Sequence, residues 1–359
     1  MKVLHYVDEN RLAWGEAWIQ LLQELGRQGV QNFVVCKSGG TLAGRLDEEG
    51  ILHDTCDIPF AQLPFTALRL GRLIDDFSPD LIHTRLSSAA RTGGYWGKKK
   101  NVPVVESVDK YPKAHYHKNA DFLLPCSTSV EDYMCSLGFP REKMRVLHNP
   151  LDIKRYEFDY AKRAAMRAEL GIAENQFVII GAGRFVDWKG FDSLLEAYAA
   201  FLREDACMRE ASHLLLVGDG EEREKLLQLI DRLEIRENVL LPGFVSDIRP
   251  YLWASDLFVL PSKSPEPFGI ILLEAMAAGL PCIATRAGGP LDMIEDGVSG
   301  WFVDCGNDVQ LSDKIRELSA NKNLRSTMAA AAAQRASSFD TSVIAATVVD
   351  IYRDMISKK

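Results

Sequence analysis

Short runs of β-branched and apolar residues alternate with longer amphipathic stretches along the whole chain, and the alternation begins afresh after Asn149-Pro150. A strand that returns to its sheet through a helix does so as a parallel neighbour, and helices then cover both faces of the sheet. The spacing predicts strands at Val3–Val7, Phe33–Cys36, Leu81–Thr84, Val102–Glu106, Phe122–Pro125 and Arg145–His148. A polar stretch from Asp152 to Glu169 follows, and a second set is expected at Phe177–Ala182, His213–Val217, Val239–Leu241, Leu257–Leu260, Cys282–Thr285 and Trp301–Val303. The helices between the second set are expected at Phe191–Glu204, Glu221–Leu233, Asp247–Ala254, Gly269–Ala278 and Gln310–Leu318.

The fold class is therefore α/β, with two doubly wound parallel sheets. At 359 residues the chain is too long for one comfortable core. The expected division is 1–155 for a first domain, 156–340 for a second, and 341–359 for a terminal helix packing back on the first. The stretch from Leu324 to Ile356 reads as helical throughout. The carboxyl ends of parallel strands are where such sheets bind ligands, so the active site is expected in a crevice between the two domains.

Composition narrows the partners. A net charge of -8 argues against nucleic acid. Residues 1–150 balance 18 Lys and Arg against 18 Asp and Glu, so the second half carries the deficit. Within the neutral half, Arg85, Arg91, Lys98, Lys99, Lys100, Lys110, Lys113 and Lys118 outnumber Glu106 and Asp109. That local excess reads either as a solvated basic face or as contact with an anionic membrane surface or acceptor. No secretory signal is expected, because the short apolar start Lys2–Val7 turns polar at Asp8-Glu9-Asn10-Arg11, and no spanning helix, because the best apolar run, Gly269–Thr285, is broken by Glu274, Gly279 and Pro281. The expected location is the cytoplasm, including the inner face of the membrane. The seven cysteines are scattered and never spaced as CxxC, which suggests neither a disulfide framework nor a zinc site, and no metal or cofactor is expected.

The strongest chemical signal runs from Pro265 to Met276 and continues to Pro281. Pro265 and Pro267 forbid helix and hold Glu266 in a loop, whereas Gly269 onward is a strong helix former stopped by Gly279. The free amides of Phe268, Gly269 and Ile270 would leave that helix start, where unpaired N–H groups and the helix dipole favour a diphosphate. Glu274, about one and a half turns in, is placed for a carboxylate to accept from a ribose diol. Read blandly, the same residues are a surface loop leading into a buried helix, but an acid within Ile-Ile-Leu-Leu-Glu-Ala-Met is costly to bury without a partner.

A second segment, Ile180 to Gly190, falls where the first strand of the second domain ends. Gly181 and Gly183 keep the turn open, and Arg184 and Lys189 supply two cations for a departing diphosphate, although either alone could be a solvated surface charge. It is not a dinucleotide fingerprint, because Val186 stands where the third glycine would be.

Together with Gly218-Asp219-Gly220, Gly243-Phe244-Val245, the run Asp256 to Ser262 and Ala287-Gly288-Gly289-Pro290, these segments closely resemble the retaining family-4 glycosyltransferases. The motifs keep the family's order over residues 177–303. The first domain resembles the family more loosely, through Asp80 to His83, Ala120 to Ser127 and His148 to Asp152. The resemblance implies a GT-B fold, two Rossmann-like domains facing a central cleft. It implies transfer of a hexose-type sugar from a nucleotide-sugar donor, UDP-linked first and GDP-linked next, to a glycan or glycolipid acceptor such as lipopolysaccharide. Arg184 and Lys189 would bind the diphosphate, Glu274 the ribose, and Glu266 the sugar near its reacting carbon. Phe244 and Val245 would meet the base, with the turn from Gly218 to Glu221 bordering it. Gly288, Gly289 and the amides near Gly269 would complete the phosphate cradle. No carboxylate pair of the hydrolase kind and no metal would be required.

Two departures concern the first domain. The family's Gly-Gly turn is replaced by Trp14-Gly15-Glu16, leaving Gly15 as the closest backbone approach. Where many members carry a donor-sugar histidine, the chain reads Glu106-Ser107-Val108-Asp109, which makes Asp109 the substitute. His115 and His117 are the other candidates, although exposed loop histidines are the commoner explanation. His83 and His148 read as structural. The alternatives to a transferase are an epimerase or phosphorylase of the same architecture, and a non-enzymatic nucleotide-sugar-binding subunit.

Overall fold

A computed structural model of the chain describes residues 1–11, 15–58 and 63–358. By its internal contacts the chain forms two compact units, Met1–Asp152 with Phe339–Lys359, and Ile153–Ser338.

The first unit holds six parallel strands, β1 (Lys2–Val7), β2 (Gln31–Cys36), β3 (His53–Thr55), β4 (Leu81–Arg85), β5 (Val104–Val108) and β6 (Phe122–Pro125), in the order β3-β2-β1-β4-β5-β6. Two expectations are corrected here. The edge strand β3 carries only His-Asp-Thr, too short and polar to announce itself. Arg145–His148 is not a strand: Arg145 N and Leu147 N donate to Leu123 O and Pro125 O, yet a single bridge, Leu123 with Met144, is all the pairing that forms. β5 starts two residues later than expected, because Pro103 has no N–H for the ladder and contributes only its carbonyl, to Ile82 N at 2.9 Å.

The last stretch of chain is also not one helix. It divides into Lys322–Ala336, a 3₁₀ turn at Ser337–Phe339, and Thr341–Ser357, where the Asp340 carboxylate accepts from Ser342 N and caps the new start. The final helix buries Ile344, Val348, Val349 and Tyr352 against Val3, Leu21, Leu25, Leu81 and Val105, and so belongs to the first core.

That core encloses two histidines side by side on β1 and β4. His5 and His83 are in register with ring centroids 5.6 Å apart. His5 Nε2 meets Asn32 Oδ1 at 3.0 Å, and His83 bridges Tyr352 OH (2.5 Å) and Ser107 Oγ (2.9 Å). Burial pushes His5 down to about 4 and His83 well below its ordinary value, with Arg85 adding to both. The unfolded chain binds these protons near pH 6.5 and the folded chain does not, so their contribution is complete above pH 6.5 and is lost as pH falls toward 4. For His5 alone the loss amounts to about 3 kcal/mol. Urea-unfolding midpoints measured from pH 7 to pH 4 should fall steeply in wild type and less steeply in His5→Asn; equal slopes would refute the assignment.

The second unit repeats the plan with β7 (Phe177–Ala182), β8 (Ser212–Val217), β9 (Val239–Gly243), β10 (Leu257–Leu260), β11 (Cys282–Thr285) and β12 (Trp301–Val303), in the order β12-β11-β10-β7-β8-β9. All six were expected from the sequence. The helix Phe191–Glu204 turns Leu194, Leu195, Tyr198, Phe201 and Leu202 onto this sheet, closing its core against Ile179, Leu214 and Leu216. No helix among the described residues is long and apolar enough to cross a membrane.

Candidate donor site of the second unit

Every sequence-predicted site residue in the second unit lies in a loop following the carboxyl end of a strand, or in the helix such a loop feeds. Gly183 to Lys189 follow β7, Gly218 follows β8, Phe244 and Val245 follow β9, and Gly288 and Gly289 follow β11. The segment from Pro261 to Gly269 follows β10 and opens the helix Ile270–Ala277.

Glu266 is the centre of this arrangement. It is buried, 4% exposed, and its Oε1 accepts from both Lys189 Nζ and Ser262 Oγ at 2.6 Å each. A buried carboxylate needs such a pair, since desolvation without one would cost several kcal/mol. Lys189 ends the 3₁₀ turn Asp187–Lys189, with its ammonium 4.6 Å from the Trp188 ring centroid. That turn is pinned from the loop after β10: Lys263 N donates to Trp188 O at 2.8 Å, and the Lys263 ammonium pairs with Asp187 (3.1 Å) and Asp192 (2.6 Å). Arg184 is exposed, and no carboxylate pairs with it among the described residues. A Cβ on Gly183, its neighbour, would stand 3.8 Å from the Lys189 side chain, so both cations issue from one small region.

The helix Ile270–Ala277 begins at Gly269, whose φ of +93° only glycine adopts without strain. The first bond across its start runs from Leu272 N to Gly269 O, which leaves the amides of Gly269, Ile270 and Ile271 without intrahelical acceptors. Phe268 is buried and Ile270 is 38% exposed. Gly288 and Gly289 press on the backbone of this segment. Glu266 and Gly288 form a bridge, Gly289 N donates to Glu266 O at 2.8 Å, and a Cβ on Gly288 would fall 2.2 Å from that same oxygen. Their small size serves a backbone-to-backbone fit that sets where Glu266 stands.

A similar interlock joins the loops after β7, β8 and β9. Gly183 N donates to Val217 O, Phe185 N to Asp219 O and Gly218 N to Gly243 O, at 2.8–3.0 Å. A Cβ on Gly218 would lie 1.9 Å from Gly183 O. Phe244, 80% exposed, and the half-buried Val245 project beyond this knot.

Glu274 is half-buried on the helix and has found the partner its apolar setting requires, because Tyr156 OH donates to its Oε1 at 2.5 Å. Burial and nearby Asp247 push the Glu274 carboxyl up, while the Tyr156 bond pulls it down. Ser262 and Tyr156 are the contacts that sequence reasoning missed. Ser262 stands in a quoted motif without an assigned role, and nothing in the sequence connects Tyr156 with Glu274, 118 residues away.

A cavity of about 410 Å³ borders this region, lined by Asp187, Phe191, Asp192, Glu222, Lys225 and Arg232 among others, but none of the expected donor residues lines it.

The remaining candidates belong to the first unit. Asp109 follows β5 and pairs with Arg85 at 3.3 Å. Gly15 opens the helix Gly15–Arg27, and Trp14 lies outside the described residues. His115 is exposed and stacks on Tyr116, with centroids 4.1 Å apart. His117 overturns its expectation of exposure: it is 2% exposed, with Nδ1 2.9 Å from Oε2 of the fully buried Glu106. Burial raises the Glu106 carboxyl and the His117 bond opposes the rise.

Two parallel doubly wound sheets, the second presenting cations, a paired glutamate and a helix start along its carboxyl edge, define a GT-B glycosyltransferase architecture. The model of the family described as glycosyl transferases group 1 matches residues 162–335, and that of glycosyltransferase family 4 matches residues 17–155. Two relatives from Rhizobium meliloti (strain 1021) are the lipopolysaccharide core biosynthesis glycosyltransferases LpsD and LpsE. LpsD is 28% identical, covering 100% of this chain and 98% of its own length; LpsE is 29% identical, covering 92% of each. The crystal structure of Anabaena HepE in complex with UDP-glucose is 25% identical, with a TM-score of 0.83 over 99% of this chain and 100% of that one. The chain belongs to the group 1 glycosyltransferases, and it is an enzyme of that kind.

Proposed function

We propose that the chain moves a hexose-type sugar from a nucleoside diphosphate donor to a lipopolysaccharide-core or related cell-surface glycan, with retention of anomeric configuration and without a metal. The observation that carries this reading is the Lys189–Glu266–Ser262 cluster at the start of the helix Ile270–Ala277, whose first amides have no intrahelical acceptor, together with Arg184, which pairs with no carboxylate among the described residues. Arg184, Lys189 and the helix-start amides take up the negative charge that gathers on the diphosphate as its bond to the sugar breaks. Glu266 then faces the sugar and Glu274 the ribose. The electron pair of the broken bond leaves with the phosphate oxygen, the acceptor hydroxyl bonds to the anomeric carbon from the same face, and its proton passes to the departing phosphate.

UDP is favoured as the carrier because HepE is described with UDP and with UDP-glucose, and a lipopolysaccharide acceptor because LpsD and LpsE carry that name. Exposed Lys98, Lys99, Lys113 and Lys118 suit an anionic acceptor or the membrane surface that bears it. The test is release of nucleoside diphosphate from a panel of UDP-, GDP-, ADP- and CMP-sugars, with EDTA present and a lipopolysaccharide-core acceptor supplied. Turnover of a UDP-sugar that survives EDTA is the expected result. Folded protein that neither binds nor turns over any donor would remove the proposal, and turnover abolished by EDTA would remove its metal-free part.

A further inference from the structure

We infer that Tyr156 is a positioning residue for donor binding, its phenol holding the Glu274 carboxylate in the orientation and charge state that grips the ribose. This rests on the donor role of Glu274 proposed above and adds the residue that makes that role workable.

Glu274 sits on a helix whose neighbouring positions Leu272, Leu273, Ala275 and Met276 are all fully buried, so water solvates its carboxylate poorly. A carboxylate so placed either protonates or swings away unless a donor holds it. Tyr156 is that donor: its hydroxyl lies 2.5 Å from Oε1 and the residue is 9% exposed. The phenol is itself fixed by its own backbone, since Tyr156 closes the 3₁₀ turn Ile153–Tyr156 and its carbonyl accepts from Trp253 Nε1 at 3.1 Å. Oε1 is thereby taken by the protein, and the inference assigns Oε2 to the ribose hydroxyls.

The groups acting on Glu274 are Tyr156 and Asp247, while Arg155 and Arg249 act on the phenol. Burial and Asp247 both favour the protonated acid, and the Tyr156 bond opposes them in favour of the carboxylate. Asp247 is itself held by Arg249 at 2.7 Å, and Arg249 reaches the Arg155 carbonyl at 3.4 Å, so the groups that tune Glu274 form one connected set. Losing the phenol therefore both frees the side chain and makes it easier to protonate.

The experiment compares wild type, Tyr156→Phe, Glu274→Gln and the double variant by calorimetric titration with UDP, and in parallel with GDP, from pH 5 to pH 8. A hydrogen bond to a charged group predicts that Tyr156→Phe weakens binding of the preferred nucleotide roughly ten- to a hundredfold at pH 7. The acid limb of its binding profile should move to higher pH, a change that mere loss of packing would not produce. The double variant should bind no worse than Glu274→Gln alone, because the phenol acts only through that carboxylate. If Glu274→Gln weakens binding but Tyr156→Phe leaves both affinity and the acid limb in place, the Tyr156 assignment is overturned and the Glu274 role stands. If Glu274→Gln itself leaves binding unchanged, the ribose reading falls and takes this one with it.

Discussion

Lys189→Met is expected to lower kcat/KM for the donor by at least roughly a hundredfold, the equivalent of about 3 kcal/mol of barrier. The ammonium has two tasks that one substitution removes together. It supplies one of the two cations of this region, and it donates to the buried Glu266 Oε1 alongside Ser262. Ser262 would remain but carries no charge, so the carboxylate would lose the positive charge that Lys189 sets beside it. Both kcat and donor KM should suffer, whereas a purely structural ion pair would change the melting temperature and leave turnover per folded molecule intact. Lys189→Met retaining wild-type kcat/KM would place the diphosphate elsewhere.

Gly288→Ala should produce a large loss of stability in the second unit. At φ +73° any L side chain is strained, and the new Cβ would lie 2.2 Å from Glu266 O and 2.7 Å from Glu266 N, both backbone atoms that cannot rotate away. Strain and forced displacement together should cost on the order of 3 kcal/mol. For a unit of this size that is a fall in melting temperature of roughly 6–12 °C. Gly297→Ala is the control: its φ is +81° but no heavy atom lies within 4 Å of the added carbon, so only the strain of about 1 kcal/mol remains. Equal melting temperatures for the two variants would show that the 266–288 contact yields freely. Because Glu266 moves with that contact, residual folded Gly288→Ala should also bind donor poorly.

The two variants test features of unequal visibility in the sequence. The six strands of the second unit are buried runs bounded by glycine, proline and polar residues, so periodicity and punctuation suffice to find them. β3 offers three polar residues and no periodicity, and it exists because β2 presents an edge to pair with. Arg145–His148 has strand-like composition, but the one bridge to β6 forms at the preceding Met144, a matter of tertiary register that composition does not carry. In the site, Glu266 and Lys189 were legible because prolines, glycines and charges mark the loops that bear them. Their direct contact was not, since it depends on how the loops after β7 and β10 approach. Gly288 and Gly289 were legible as glycines, while the reason for them, contact with the backbone of 266–268, emerges only in three dimensions. His117 was misjudged because a polar segment gives no hint that Glu106, in the middle of β5, is buried and in want of a partner.

The knot of main-chain bonds among Gly183, Phe185, Val217, Gly218, Asp219 and Gly243 has an evolutionary corollary. Three consecutive loops brace one another through peptide groups, so a residue inserted into any of them would disturb all three. Under the proposed donor reading, lineages would diversify which nucleotide they accept most cheaply at side chains that project past the braces, such as Phe244, 80% exposed. Preference among bases would then drift by point substitution at such positions while the diphosphate grip stays frozen.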